Sequence, residues 1–161
     1  RLLRPGFITL SQLRAVVPDA VAGSDAPAPR APGSDAKHYA PATSLSIVNS
    51  RTLEEVVAQL TADHEKVAVL AMRPPRLANR YMTWINAGRR ADVYARELYV
   101  NLRTLDKSGA KEILVEEVPP GESWDAVRDR LRRAASVENL VTVDPDIAAL
   151  RADFGEDIGL P

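Results

Sequence analysis

Cysteine is absent from the 161 residues, which excludes disulfides and thiolate chemistry and fits a reducing, cytoplasmic setting. Neither sign of charge is in excess. With 21 Lys and Arg against 22 Asp and Glu, the formal net charge is -1, and no global basic field draws in nucleic acid. No apolar run is long enough to span a membrane, and no charged start precedes an apolar core as in a signal peptide. Phosphate loops of the P-loop or dinucleotide type are missing, so a self-contained nucleotide enzyme has no support. HExxH and paired Cys/His spacings are missing too, so no metal site is expected. Histidine numbers 2, and neither lies near a nucleophile motif, which leaves Ser/His/Asp catalysis without support.

Proline and alanine are plentiful and unevenly spread. Residues 19–37 are rich in Ala, Pro, Gly, Ser and Asp and lack apolar periodicity, as expected of an extended linker. Ahead of it, residues 1–18 hold Leu2 and Leu3, a Pro5-Gly6 turn and a short helix. Thr9 and Gln12 give that helix a capping box, and Leu10, Leu13, Val16 and Val17 give it an apolar stripe. Such a piece cannot bury its own apolar face, so it needs a partner sheet. The first residue is Arg1 rather than Met, and the chain is expected to be a fragment of a longer protein.

From Ser44 onward, strand and helix patterns alternate. Leu45, Ile47 and Val48 predict a strand. Thr52 and Glu55 read as a capping box for a helix to about Ala62, with Leu53, Val56, Val57 and Leu60 on its inner face. Val67 to Ala71 is a continuous apolar run, as in a strand buried on both sides. Residues Tyr81 to Ile85 suit another strand. A long helix follows from Asp92 to about Ser108, stopped by Gly109, with Tyr94, Leu98, Leu102 and Leu105 at helical spacing. Ile113 to Glu117 is a further strand. Ser123 is expected to cap a last helix carrying Trp124, Val127 and Leu131, and Leu140 to Val143 suits one more strand.

Three charged features have ordinary explanations. His64, in a turn, needs no role beyond solvation. Arg73, Arg76 and Arg80 could grip a phosphate or an acidic partner, but loop arginines are usually solvated. The run Arg128 to Arg133 reads as a helix face with internal ion pairs, because acidic residues interrupt it and no aromatic platform accompanies it. Direct RNA binding by this stretch is therefore unsupported. The resulting fold class is α/β, a small, mainly parallel sheet with helices on both faces, preceded by a long Pro-rich linker.

One part of the linker is more specific. Ala31 to Pro41 reads APGSDAKHYAP and sets Lys37, His38 and Tyr39 between Pro32-Gly33 and Pro41. Pro32 and Pro41 hold the flanking backbone extended, and Gly33 supplies unusual φ angles. On the residues alone, two readings stand for His38 and Tyr39. They either pin the linker to a domain surface or form a binding element.

PG followed by HYAP resembles the interdomain linker of the long, two-domain form of threonylcarbamoyl-AMP synthase, with Ser34 where that family usually has Met. LLRPGFIT resembles the closing segment of the family's YrdC-like catalytic domain. YARELYVNLRTLDKSGAKEILVEEVPP and AVRDRLRRAA resemble its C-terminal domain, with Arg128 where Asn is usual. The resemblance implies three parts: residues 1–18 as the end of the catalytic domain, 19–43 as linker with a lid, and 44–161 as a Rossmann-like domain. It further implies condensation of L-threonine, bicarbonate and ATP with Mg²⁺ into threonylcarbamoyl-adenylate, releasing pyrophosphate, for modification of tRNA adenosine 37. Arg4, His38 and Tyr39 would contact ATP or the intermediate, positioned by Pro32, Gly33 and Pro41. The main catalytic residues would lie in the chain's own N-terminal catalytic domain, outside this sequence, leaving this piece inactive alone. Other tRNA-threonylcarbamoylation proteins are expected partners. The alternative is a non-catalytic α/β module that binds an effector or docks a partner.

Overall fold

In the computed structural model, the described residues are 2, 4–23 and 40–135. The predicted strand at 140–143 and the motif residues Pro32, Gly33, His38 and Tyr39 lie outside them. Four five-residue strands form the sheet: β1 (Ser44–Val48), β2 (Val67–Ala71), β3 (Met82–Asn86) and β4 (Glu112–Glu116). Their spatial order is β1-β4-β2-β3, and all three pairings are parallel. The expected class is therefore observed.

Alternation along the two inner strands divides the core. Ala68, Leu70, Ile113 and Val115 face one side, and Val67, Val69, Ala71 and Leu114 face the other. Both faces need cover, and helices supply it. Helix α1 (Leu10–Val16) stands apart in the N-terminal segment. Helix α2 (Leu53–Ala62) lays Leu53 and Val57 on the second face. Helices α3 (Ala91–Asp106) and α4 (Asp125–Ala134) cover the first face with Tyr94, Leu98, Leu102 and Leu105, and with Val127 and Leu131. Gly109, at φ +72°, takes the left-handed conformation that turns the chain from α3 towards β4. Between β2 and its parallel neighbour β3 the connection contains no helix. No helix among the described residues is long and apolar enough to cross a membrane.

Capping differs from expectation in two of three places. The Thr9–Gln12 box at α1 forms as predicted. Thr52 makes no side-chain cap, because its own backbone is already helical (φ -99°, ψ -7°). Instead Asn49 organises that turn, its carbonyl accepting from the Thr52 and Leu53 N–H groups and its side chain from Arg51 N–H. Ser123 does not cap α4 either. It lies inside a 3-10 turn, Glu122–Trp124, that runs straight into the helix.

Tyr94 and Trp124 meet edge to face with ring centroids 5.5 Å apart. The Tyr94 hydroxyl is buried there with no hydrogen-bond partner among the described residues. Desolvation, with the nearby Glu116 charge, pushes its pKa up. A buried donor without an acceptor opposes folding. We therefore expect Tyr94→Phe to leave the free energy of urea unfolding unchanged or to raise it by up to about 1 kcal/mol. A loss larger than that would mean the hydroxyl does have a partner in solution.

Candidate functional site

Loops at the carboxyl ends of the strands are held by one carboxylate. Glu116, the last residue of β4, is fully buried. It accepts the Met72 N–H (2.6 Å), which follows β2, and the Ser50 hydroxyl, which follows β1. Arg73 Nε lies 3.7 Å from the same carboxylate, and the Arg73 guanidinium also pairs with Glu54 at the start of α2. The Trp84 indole N–H, from the middle of β3, donates to the Arg73 carbonyl (2.8 Å), so β3 is tied to the same network as the loops after β1 and β2 and the end of β4. Arg73 is thus half-buried and ion-paired rather than solvated. Arg76 reaches Glu54 more loosely at 3.8 Å, and Arg80 lies over the Tyr81 ring. His64 is exposed, as expected, in a left-handed turn (φ 63°) with its ring edge-on to Tyr81.

Beside this network the connections diverge. The chain leaving β1 goes to α2 on one face, whereas the chain leaving its neighbour β4 goes to α4 on the other. Ligands in open α/β sheets favour this switch point. The crevice there measures about 200 Å³ and is lined by Asn49, Glu117, Val118, Arg128, Leu131 and Arg132. Asn49 Nδ2 donates to Glu117 (3.3 Å), and Arg128 is tied to Asp125 and to the Pro119 carbonyl. Internal ion pairs on α4 are as predicted: Arg128 with Asp125, and Arg133 with Asp129 at 3.1 Å.

The N-terminal segment lies against α4, held by two carboxylates. Arg4 Nε donates to Asp129 Oδ2 (3.1 Å), with the two side chains 30% and 21% exposed. Glu122 accepts the Ser11 N–H (2.6 Å) at the start of α1, and these bonds from Ser11 hold its carboxyl below the ordinary range. Leu2 makes a parallel bridge with Ala22. Near the other end of the linker, Pro41 is followed by two residues clamped to α3. Asp106 accepts Thr43 N–H (2.8 Å) and Ala42 N–H (3.2 Å). Burial alone would raise the Asp106 pKa, but the bonds from Thr43 and Ala42 outweigh it and bring it below the usual carboxylate range.

Of the sequence-predicted site residues, Arg4 and Pro41 are therefore placed, at the two ends of the linker region. Among the described residues, no group of three or more His, Asp or Glu is placed to hold a metal ion. Sequence reasoning misses Glu116, Asp106, Asp129 and Glu122. Their only signal is a charged residue ending or following an apolar pattern, as in Ile113-Leu-Val-Glu116.

Residues 8–136 match the family model described as threonylcarbamoyl-AMP synthase, C-terminal domain. Similarity to the threonylcarbamoyl-AMP synthase of Pyrococcus abyssi is 30% identity over 145 residues, 83% of this chain. The chain spans 42% of that relative's length. The crystal structure of P. abyssi Sua5 complexed with L-threonine superposes with a TM-score of 0.66 at 28% identity, covering 83% of this chain and 41% of that one. A second structure, of a P. abyssi Sua5 variant with an adjacent His and Tyr both changed to Ala, has the same fold, with a TM-score of 0.59 at 24% identity, covering 83% of this chain and 38% of that one.

Both buried and half-buried carboxylates can be tested by unfolding. Removing the acceptor in Glu116→Ala leaves the buried Met72 N–H and the Ser50 hydroxyl without their partner and is expected to cost about 3–5 kcal/mol in urea unfolding, against under about 1 kcal/mol for an exposed glutamate. Because the folded Asp106 pKa is depressed, its contribution is present above the unfolded pKa and is lost as pH falls through the folded one. Asp106→Ala should thus destabilise by about 1–2 kcal/mol near pH 7, with the gap to wild type closing below the ordinary carboxylate range. A gap that stays constant down to about pH 2 would show that the clamp does not depend on its charge.

Proposed function

This chain belongs to the threonylcarbamoyl-AMP synthase C-terminal domain family, and from that premise we propose that it works within a threonylcarbamoyl-AMP synthase. The longer protein condenses L-threonine, bicarbonate and ATP into threonylcarbamoyl-adenylate and releases pyrophosphate, supplying the threonylcarbamoyl group for tRNA adenosine 37. The observation that carries this reading is a single family match running from residue 8 through the linker to residue 136. The L-threonine complex of P. abyssi Sua5 agrees with it.

Under this reading, most of the chemistry is positioning and charge stabilisation around phosphates. Mg²⁺ accompanies ATP on residues of the catalytic domain. Arg4 binds phosphate oxygens, using the planar donor set a lysine lacks. The mixed anhydride product is labile, so water must be kept out. His38 and Tyr39 close over nucleotide or intermediate as a lid. The lid's downstream end stays in register because Asp106 grips the two residues after Pro41. The α/β domain is the platform for that grip. A second reading, an effector site in this domain, is favoured by the switch-point crevice with its Asn49, Glu117 and Arg132 side chains.

The test is pyrophosphate release by the longer protein with threonine, bicarbonate, ATP and Mg²⁺. For His38→Ala combined with Tyr39→Phe we expect turnover to fall about tenfold or more, with a larger share of ATP lost to AMP unaccompanied by threonylcarbamoyl-adenylate. Unchanged turnover and coupling would reduce the linker to a tether. A version ending at Pro41 separates the two readings. Full activity there would make the rest of the chain regulatory, and lost activity would make it part of the closed state.

A further inference from the structure

Two apolar series in the sheet turn polar at one spot. On β1, Leu45 and Ile47 point to the face that α4 covers, and the next residue in that series is Asn49. On β4 the series is Ile113 and Val115, and the next residue is Glu117. From the helix side, Leu131 belongs to the buried face of α4 and is flanked by Arg128 and Arg132. Between strand ends and helix lies the switch-point crevice of about 200 Å³, floored by the buried Val118 and Leu131 and the half-buried Ile47.

The polar groups around this floor are not equally satisfied. Arg128 is committed, its terminal nitrogens bonded to Asp125 and to the Pro119 carbonyl. Asn49 Oδ1 accepts Arg51 N–H, and its Nδ2 donates to one oxygen of Glu117. Among the described residues, the other Glu117 oxygen and the Arg132 guanidinium have no hydrogen bond or ion pair. These two groups carry opposite charge, line one crevice and do not pair with each other. A simple anion would satisfy Arg132 and bring like charge towards Glu117, and a simple cation would do the reverse. A zwitterion answers both. Its carboxylate takes the flat edge of a guanidinium, its ammonium donates to a carboxylate, and the apolar floor receives a short side chain. The volume lies below the roughly 300–1,000 Å³ of pockets for drug-sized ligands, which limits the occupant to a few heavy atoms.

The geometry points to this crevice as a binding site for a small α-amino acid, with Arg132 holding the carboxylate and Glu117 the ammonium. The inference deepens the effector reading of the crevice and rests on it. Its place, where the chains leaving β1 and β4 diverge, is the one open α/β sheets favour for ligands.

The experiment is equilibrium dialysis of labelled L-threonine, L-serine and L-alanine against the longer protein, as wild type and as Glu117→Gln, Arg132→Ala and Arg133→Ala. Glu117 and Arg132 are exposed, so replacing them leaves the fold intact. At least one of the amino acids is expected to occupy a site that Glu117→Gln and Arg132→Ala each weaken about tenfold or more. Arg133→Ala, whose guanidinium turns to Asp129, should leave that site unchanged. Labelled propionate and propylamine, each with one of the two charges, should bind there at least about tenfold more weakly. A threonine site that survives every variant belongs to the synthase reaction and is counted apart. A weakening in Arg133→Ala as large as that in Arg132→Ala would reveal a general charge effect and overturns the inference. If propionate or propylamine occupies the site as tightly as any amino acid, the amino-acid class is overturned and the effector reading stands. If none of the five probes responds to Glu117→Gln or Arg132→Ala, both fall together.

Discussion

Taking a carboxylate fully out of water costs several kcal/mol unless donors replace the water. Glu116 meets that requirement at the end of the inner strand β4, with a backbone N–H, a hydroxyl and a nearby guanidinium as its donors. These donors come from the loops that follow β1 and β2, and the second of those loops is bonded in turn to β3 through Trp84. The burial of this charge therefore obliges the loops at one end of the sheet to take a single arrangement. The switch-point crevice, the start of α2 and the path towards β3 all inherit their geometry from it. An apolar residue at 116 would pack as well but would leave those loops without a common acceptor.

A second set of carboxylates organises the outside. Asp129 and Glu122 hold the N-terminal segment, and Asp106 holds the residues after Pro41. Helix α1 buries none of its residues, and Phe7, Ile8, Val16 and Val17 stay exposed. The segment is thus attached by polar bonds at a few points and not by a core. Polar ties are directional and fix orientation, whereas apolar burial is not.

Much of the fold is legible in the sequence because it rests on local periodicity. The apolar run at 67–71 is the fully buried β2, and the spacing of Tyr94, Leu98, Leu102 and Leu105 is the inner face of α3. Capping at Thr9 is local too, and it forms as its residue types require. Thr52 and Ser123 have the right residue types, but the turns entering their helices are set by Asn49 and by the Pro119–Gly121 connection. Arg73 looks like a solvated loop residue in sequence because its partners, Glu54 and Glu116, lie 19 and 43 positions away.

By itself the sequence determined the element types, the parallel α/β class and, through HYAP and RPG, a resemblance to one enzyme family. These depend on side-chain period and short-range turn chemistry, which neighbouring residues encode. Only the tertiary structure decided the strand order β1-β4-β2-β3 and therefore which loops meet at the sheet's end. It likewise decided that Asp129 faces Arg4 and that Asp106 faces the end of the linker. A carboxylate on a helix looks the same in sequence whether water or a distant arginine satisfies it. Its partner is fixed only when packing of the apolar faces brings the two elements together.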